Sequence, residues 1–317
     1  MNILFVTATR IGDAVLSTGL LSFLLDRHPE ARFTIAAGPL AAPLFADAPR
    51  VERVIAVTKQ AASLHWLKLY AAVAGRRWDL IVDLRGSALA WLLRAGERKV
   101  AAKEGVDTHR VRHLGALFGL NPPPNPTLWL GADTLAKAGR LVPPGPPVVA
   151  IGPAANWRGK QWRGERFAEL AQRLTAPSGA FDGARVAVLA AAHERPQAGN
   201  LLCALPPDRV IDLVGRTDVL TAAGVVRSAD MFIGNDTGLM HIAAAVGTPT
   251  LGLFGPSPAA RYAPWGRCTA IVQTDRTPAE LMGPGFDHRT TDTLMDSLSV
   301  ERVEAAVRAL RRRAEAA

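Results

Sequence analysis

The chain has 317 residues, of which 49% are hydrophobic, and it carries a formal net charge of +9. This length favours two domains over one and allows a large buried core. The positive charge predicts an anionic partner, but the sequence has neither zinc-finger spacing nor the aromatic signature of RNA-binding modules, so we expect no nucleic-acid partner.

The two cysteines, Cys203 and Cys268, are too few for a disulfide framework or a zinc site, which favours a reducing compartment. The apolar runs are too short to span a bilayer. The chain starts in a strand-like run at residues 1–6 without a basic leader. We therefore expect a cytoplasmic protein.

Strand-like apolar runs alternate with helical patterns, which predicts an α/β architecture with parallel sheets wrapped by helices. A proline-rich stretch at 143–147 suits neither a helix nor a central strand and is the predicted linker between domains 1–142 and 148–317. Two such domains are expected to leave a cleft, and the final helix is a candidate to pack back on the first. The predicted strands cover residues 2–7, 33–37, 54–57 and 80–84, then residues 148–152, 185–190, 210–213, 231–234 and 250–254.

Ligands in such sheets bind beyond the carboxyl ends of the strands, so each strand-to-helix turn is a candidate site. The first turn holds Asp13, at the start of an apolar helix over residues 14–25. An exposed carboxylate there is placed to take a proton from a hydroxyl. A residue that merely begins the helix is the alternative interpretation.

Two turns of the second domain carry further candidates. After the strand at 148–152, Arg158 and Lys160 lie among glycine and tryptophan residues and supply positive charge for a diphosphate. This turn is not a Walker A loop, because the GxxxxGK[ST] pattern is absent. Glu194 follows the strand at 185–190 and suits the paired hydroxyls of a ribose. Each of these residues is also compatible with an ordinary surface position.

Polar residues are densest at Asn235-Asp236-Thr237-Gly238, between an apolar strand and an almost wholly apolar helix at 239–246. The free N–H groups and the positive dipole end of that helix form an anion site, and glycine permits close approach of a ligand. The turn therefore predicts phosphate binding, although every βα unit needs a turn of this kind.

Four motifs follow one another along the chain: RIGD at 10–13, KxW at 160–162, AxHE at 191–194, and GNDTGLMHIAAA from Gly234, with LFGP at 253–256. In this order they resemble glycosyltransferase family 9, the heptosyltransferase family of lipopolysaccharide core assembly. The resemblance implies a GT-B fold, in which two Rossmann-like doubly wound domains face a cleft and the second holds most of the donor. It also implies an inverting, metal-independent transferase without a tightly bound cofactor, and neither a DxD motif nor a histidine cluster points to a metal.

The donor that the resemblance implies is ADP-heptose, and the acceptor is an anionic lipid-linked oligosaccharide of the lipopolysaccharide inner core. Such an enzyme works at the cytoplasmic face of the inner membrane with transient membrane contact, and we expect a monomer. Another nucleotide sugar and glycan acceptor remain open, as does a non-catalytic nucleotide-sugar-binding protein. A nicotinamide oxidoreductase is disfavoured, because the first turn lacks GxGxxG.

Carried over by position, Asp13 resembles the catalytic base of the family, and Lys160 resembles the lysine that contacts the diphosphate and supports catalysis. Asn156 stands where members often have a hydroxyl residue, so its donor contact departs from the family pattern. His241 lies about one helical turn beyond Asp236 and is equally consistent with helix packing. The predicted nucleotide-sugar-binding residues are Asn156, Lys160, Glu194, Gly215, Thr217, Asp236, Thr237, Gly238 and His241.

A basic stretch at residues 85–113 follows the strand at 80–84 and predicts contacts to phosphates or acidic sugars of the acceptor. A solvated loop and helix surface is the alternative. The predicted acceptor-binding residues are Arg10, Arg85, Arg94, Arg98 and Lys99.

Overall fold

The computed structural model describes residues 1–60, 64–102 and 107–316. It divides into two compact units, Met1–Gly131 and Ala132–Ala317, each built on one sheet of parallel strands. The predicted strands are all present, with ends that differ by at most a few residues. Lys103 and Glu104 of the basic stretch lie outside the described residues.

The first unit has a five-stranded sheet. Its elements are β1 (Asn2–Val6), α1 (Ile11–Arg27), β2 (Arg32–Ala37), β3 (Val51–Ala56), α2 (Leu64–Val73), β4 (Trp78–Asp83), α3 (Leu89–Leu92), β5 (Ala95–Val100) and α4 (Arg110–Ala116). The strand order is β3-β2-β1-β4-β5. β2 and β3 are therefore added on one side of β1, and β4 and β5 on its other side, which makes the gap between β1 and β4 the switch point. The turns that follow these two strands therefore lie side by side at the carboxyl edge.

The second unit has a six-stranded sheet. Its elements are α5 (Ala132–Leu141), β6 (Val148–Gly152), α6 (Gly164–Thr175), β7 (Arg185–Val188), α7 (Arg195–Leu202), β8 (Val210–Asp212), α8 (Val219–Arg227), β9 (Met231–Asn235), α9 (Gly238–Ala245), β10 (Thr250–Phe254), α10 (Ala259–Tyr262), β11 (Thr269–Gln273), α11 (Pro278–Leu281) and α12 (Val300–Glu315). The order β11-β10-β9-β6-β7-β8 is the Rossmann arrangement, with its switch point between β6 and β9. All residues of these two strands are buried, as strands covered by helices on both faces must be.

The division between the units falls before α5, earlier than the predicted end of the first domain at residue 142. Ala138 of α5 and Val225 of α8 belong to one buried apolar cluster, so this helix packs with the second unit. The proline-rich stretch 143–147 consequently lies inside the second unit, directly before β6. Helix α12 also belongs to this unit, because Val303 and Val307 are buried in its core.

The sequence pattern does not predict the edge strands β5 and β11. β5 reads AGERKV and lacks apolar alternation, yet its backbone pairs with β4 from Ala95 to Val100. An edge strand leaves one side open to water and therefore tolerates charged side chains. Arg98 and Lys99, two residues of the basic stretch predicted as an acceptor surface, are thus part of the first sheet.

Candidate functional site

The switch point of the second sheet brings the central donor-binding candidates together. The turn after β6 carries Asn156 and Lys160, and the turn after β9 carries Asp236, Thr237 and Gly238. β6 and β9 are paired neighbours, so both turns leave the same edge of the sheet. In doubly wound sheets this crevice is where nucleotides bind.

Asn235 fastens these two turns to each other. Its side chain has no exposed surface, its Nδ2 donates to the Pro153 carbonyl oxygen at 2.8 Å, and its Oδ1 accepts from the Trp162 N–H at 3.1 Å. The two bonds hold the β6 turn near both of its ends. The sequence motif contains Asn235, but nothing in the motif predicts this cross-link.

A shielded ion pair joins Lys160 to Asp236. Lys160 Nζ lies 2.6 Å from Asp236 Oδ2, and the two side chains are 22% and 8% exposed. His241, on the first turn of α9, places Nε2 3.8 Å from the other carboxylate oxygen of Asp236. Two charges that are largely removed from water stabilise the fold only while both are present, because either one alone keeps its desolvation cost.

The amino end of α9 points into the same turn. Thr237 is the N-cap residue but makes no side-chain capping hydrogen bond, and both Thr237 and Gly238 are half-buried. The N–H groups in the first turn of a helix have no acceptor within the helix. Backbone donors, a helix dipole and the Lys160 ammonium therefore converge on one location, which suits an anion.

A strap formed by residues 287–298 covers the outer side of the Lys160 turn. The Leu294 N–H donates to the Gly159 carbonyl oxygen at 3.1 Å, and Arg158 Nε donates to Asp292 at 2.8 Å. The backbone N–H of the following residue and Arg158 hold the pKa of the Asp292 carboxyl at about 2. Arg158, predicted as a source of charge for a diphosphate, is therefore engaged by the strap, whereas Lys160 faces Asp236.

The turns after β7 and β8 pack against each other and carry the predicted ribose and base contacts. Glu194 is half-buried, and its Oε2 accepts from the Ala191 N–H at 2.8 Å. Gly215 has a φ of +73°, and a Cβ at this position would lie 2.7 Å from the Ala192 Cβ. Only glycine satisfies both the backbone angle and this close approach. Thr217 lies half-buried in the same turn.

In the first unit, Asp13 occupies the first turn of α1, as predicted. Its side chain is half-exposed, and among the described residues it makes no hydrogen bond or ion pair. Arg10 is the exposed residue at the N-cap position of the same helix. The carboxylate is thus accessible and lies at the amino end of the helix.

Buried Asp83 shapes the neighbouring turn after β4. Its carboxylate accepts from the backbone N–H groups of Arg85 and Ser87, at 2.9 Å each. Arg85 is half-buried, with its guanidinium 4.5 Å from the centroid of the Trp66 ring, and burial lowers the pKa of Arg85. Because β1 and β4 are neighbours, Arg85 lies at the same edge of the sheet as Asp13.

The other three predicted acceptor residues are not brought to that turn. Arg94 precedes β5 at the opposite, amino edge, where its carbonyl oxygen accepts from the first residue of β4. The Arg98 guanidinium donates to two backbone carbonyl oxygens at 2.7 Å each, those of Ala90 and Leu93. Lys99 pairs with a glutamate of its own strand at 3.2 Å. Sequence proximity suggested one basic surface, but strand geometry separates these side chains.

Within residues 1–60, 64–102 and 107–316, no three histidine, cysteine or acidic side chains are grouped to hold a metal ion. In the same ranges no helix has both the length and the apolar character that crossing a bilayer requires.

The sequence of the chain is similar to those of known proteins. Residues 85–282 match the sequence model of glycosyltransferase family 9 (heptosyltransferase). Lipopolysaccharide heptosyltransferase 2 of Salmonella typhimurium is 24% identical over 295 residues, which cover 81% of this chain and 83% of the relative.

Two solved structures share the fold. The E. coli ADP-heptose lipopolysaccharide heptosyltransferase II superposes with a TM-score of 0.77 at 21% identity, covering 99% of this chain and 100% of the other. The E. coli heptosyltransferase WaaC with ADP gives a TM-score of 0.71 at 19% identity, covering 98% and 100%. The predicted GT-B fold class is confirmed.

Removing Lys160 should destabilise the second unit, because the Asp236 carboxylate would stay shielded without its ammonium. We expect Lys160→Ala to lower the free energy of unfolding by about 1–3 kcal/mol, and the double variant Lys160→Ala/Asp236→Asn to recover part of that loss. Denaturant unfolding of both variants measures the difference.

The matched control for this prediction is Arg158→Ala on the same turn, whose exposed pair with Asp292 should contribute less than about 1 kcal/mol. A double variant no more stable than Lys160→Ala would show that the two charges are not coupled.

Proposed function

The chain belongs to glycosyltransferase family 9, and we propose that it moves a heptose from ADP-heptose to a hydroxyl of the lipopolysaccharide inner core, with inversion and without a metal ion. The observation that carries the donor side is the convergence of Lys160, Asp236 and the amino end of α9 at the switch point of the second sheet. The names of the relatives support a heptose donor and a lipopolysaccharide acceptor.

On the donor side, the diphosphate accepts hydrogen bonds from the N–H groups at the start of α9. Lys160 is neutralised by Asp236 at 2.6 Å, so the pair has no net charge before the donor arrives. A diphosphate that approaches the turn gives the ammonium a second anionic partner. As the bond from the anomeric carbon to the diphosphate breaks, Lys160 and the amides stabilise the charge gathering on the leaving ADP.

The nucleoside part of the donor extends toward the turns after β7 and β8. Glu194 uses one carboxylate oxygen to close its own loop, and the other oxygen is available for the ribose hydroxyls. Gly215 and Thr217 border the adenine. The turn offers mainly backbone groups to the base, so we expect affinity to come chiefly from the diphosphate.

On the acceptor side, Asp13 removes the proton from the acceptor hydroxyl as that oxygen attacks the anomeric carbon. One carbon–oxygen bond forms while the bond to ADP breaks, and a single displacement of this kind inverts the anomeric centre. Arg10 and Arg85, at the carboxyl edge with Asp13, contact the acidic groups of the acceptor. Arg94, Arg98 and Lys99 play a smaller part, because Arg94 lies at the opposite edge of the sheet and the other two side chains are engaged by partners within the unit.

Asp13→Asn should lower transfer by about two to four orders of magnitude, because a positioned base contributes that much to rate, while donor affinity stays nearly unchanged. Mass spectrometry of the product formed from ADP-heptose and a truncated core acceptor measures transfer, and calorimetry with ADP measures donor binding.

The matched control is Asp26→Asn, an exposed carboxylate near the other end of α1, which should leave transfer unchanged. Retention of more than about a tenth of the activity in Asp13→Asn would assign the base to another residue. Turnover of a different nucleotide sugar, with ADP-heptose inert, would overturn the donor assignment.

The acceptor assignment predicts a difference between two exposed arginines. Arg10→Gln should raise the KM for the acceptor several-fold at low ionic strength without changing the KM for the donor, and the effect should shrink with added salt as the charges are screened. Steady-state kinetics at two salt concentrations measures both constants. Arg94→Gln, at the opposite edge of the sheet, is the control, and equal effects of the two variants would refute the assignment.

A further inference from the structure

Exposed large apolar side chains are concentrated on one surface of the first unit. Trp91 is 68% exposed, Leu92 67% and Leu67 64%, and Leu64 lies one helical turn from Leu67 on α2. We call these four residues of α2 and α3 the α2–α3 patch. Scattered single apolar residues are normal on soluble proteins, but adjacent ones mark a site of interaction.

A groove connects the two helices of the patch. It encloses about 630 Å³, and Leu67 and Leu92 line it together with Trp66, Tyr70 and Arg85. The groove therefore brings α2 and α3 into one continuous surface. The Arg85 guanidinium, stacked on Trp66, supplies a positive charge within the apolar lining.

Cationic side chains border the patch. Arg85 lines the groove, and the nearby carboxylate of Asp83 is fully buried. Lys68 is exposed on α2 directly beside Leu67, and the Arg98 guanidinium lies 5.9 Å from the Trp91 ring centroid. The patch is thus an apolar surface with a cationic border.

We propose that the α2–α3 patch docks on a lipid bilayer that contains anionic headgroups. Tryptophan favours the interface between headgroups and acyl chains, and exposed leucines gain free energy by leaving water there. Cations beside an apolar surface add attraction to anionic lipids. A protein partner would need only shape and apolar contact, whereas the cations Lys68, Arg85 and Arg98 beside the apolar side chains add attraction to a surface of uniform negative charge.

The proposal places the carboxyl edge of the first sheet close to the membrane. Arg85 leaves that edge directly after β4, and the turn that carries Asp13 follows the neighbouring strand β1. A lipid-linked acceptor would then be met at the bilayer surface. The docking inference itself does not depend on the transfer reaction, because vesicle binding requires neither donor nor acceptor.

Co-sedimentation of the full chain with phosphatidylglycerol-containing vesicles, and with pure phosphatidylcholine vesicles, tests the proposal. We expect binding to the anionic vesicles that weakens with added salt. Leu67→Gln/Lys68→Gln should bind at least about fivefold more weakly, which is the contribution of one surface lysine before the loss of the leucine is included.

The matched control is Leu135→Gln/Lys137→Gln, which removes an exposed leucine and an exposed lysine from α5, a helix of the same length in the second unit. This variant should bind the vesicles as the unmodified chain does. Equal loss in both double variants, or no binding to anionic vesicles, would overturn the proposal. A concentration-dependent dimer that only Leu67→Gln/Lys68→Gln disrupts, without vesicle binding, would assign the patch to a second copy of the chain instead.

Discussion

Two consecutive polar residues, Asn235 at the end of the central strand β9 and Asp236 directly after it, lie where water is largely excluded, and both side chains require partners there. Asn235 takes its partners from the backbone on either side of the β6 turn. Asp236 takes the Lys160 ammonium from within that turn. Because a buried polar group without a partner costs free energy, this requirement determines where the β6 turn lies. The partners that Asn235 and Asp236 require therefore fix the position of Lys160.

The same constraint bears on the proposed anion site, because its lysine is already paired with a carboxylate of the same unit. The start of α9 supplies backbone donors that carry no formal charge and need no counter-ion. Asp236 neutralises Lys160, so the fold does not have to stabilise an isolated cation. The strap formed by residues 287–298 holds the outer side of the turn through Arg158. A diphosphate would enter a site whose donors are already oriented.

The local parts of this arrangement are readable from the sequence, because strand periodicity and capping residues act over a few positions. The pattern predicts β6, β9 and the turn at Asp236, and the structure has all three. The ion pair between Lys160 and Asp236 spans 76 positions and depends on the strand order, which periodicity does not encode. Family resemblance places both residues in one site but does not pair them.

The first unit shows the opposite case, in which a local pattern misleads. The short sequence distance between Arg94, Arg98 and Lys99 suggests one basic surface. A strand such as β5, however, directs neighbouring side chains to opposite faces. Arg98 is then used to satisfy the carbonyl oxygens at the end of α3. β5 itself has no apolar alternation, and its pairing with β4 at the edge of the sheet stabilises it instead. Tertiary pairing, rather than the sequence of the strand, decides the role of these charges.

A crystal structure of the protein with ADP tests the central claim most directly. We expect oxygens of the diphosphate about 3 Å from the N–H groups of Thr237 and Gly238 and from Lys160 Nζ. The adenosine should extend toward Glu194 and Gly215. ADP bound away from the switch point of the second sheet, with α9 making no contact to phosphate, would contradict the account.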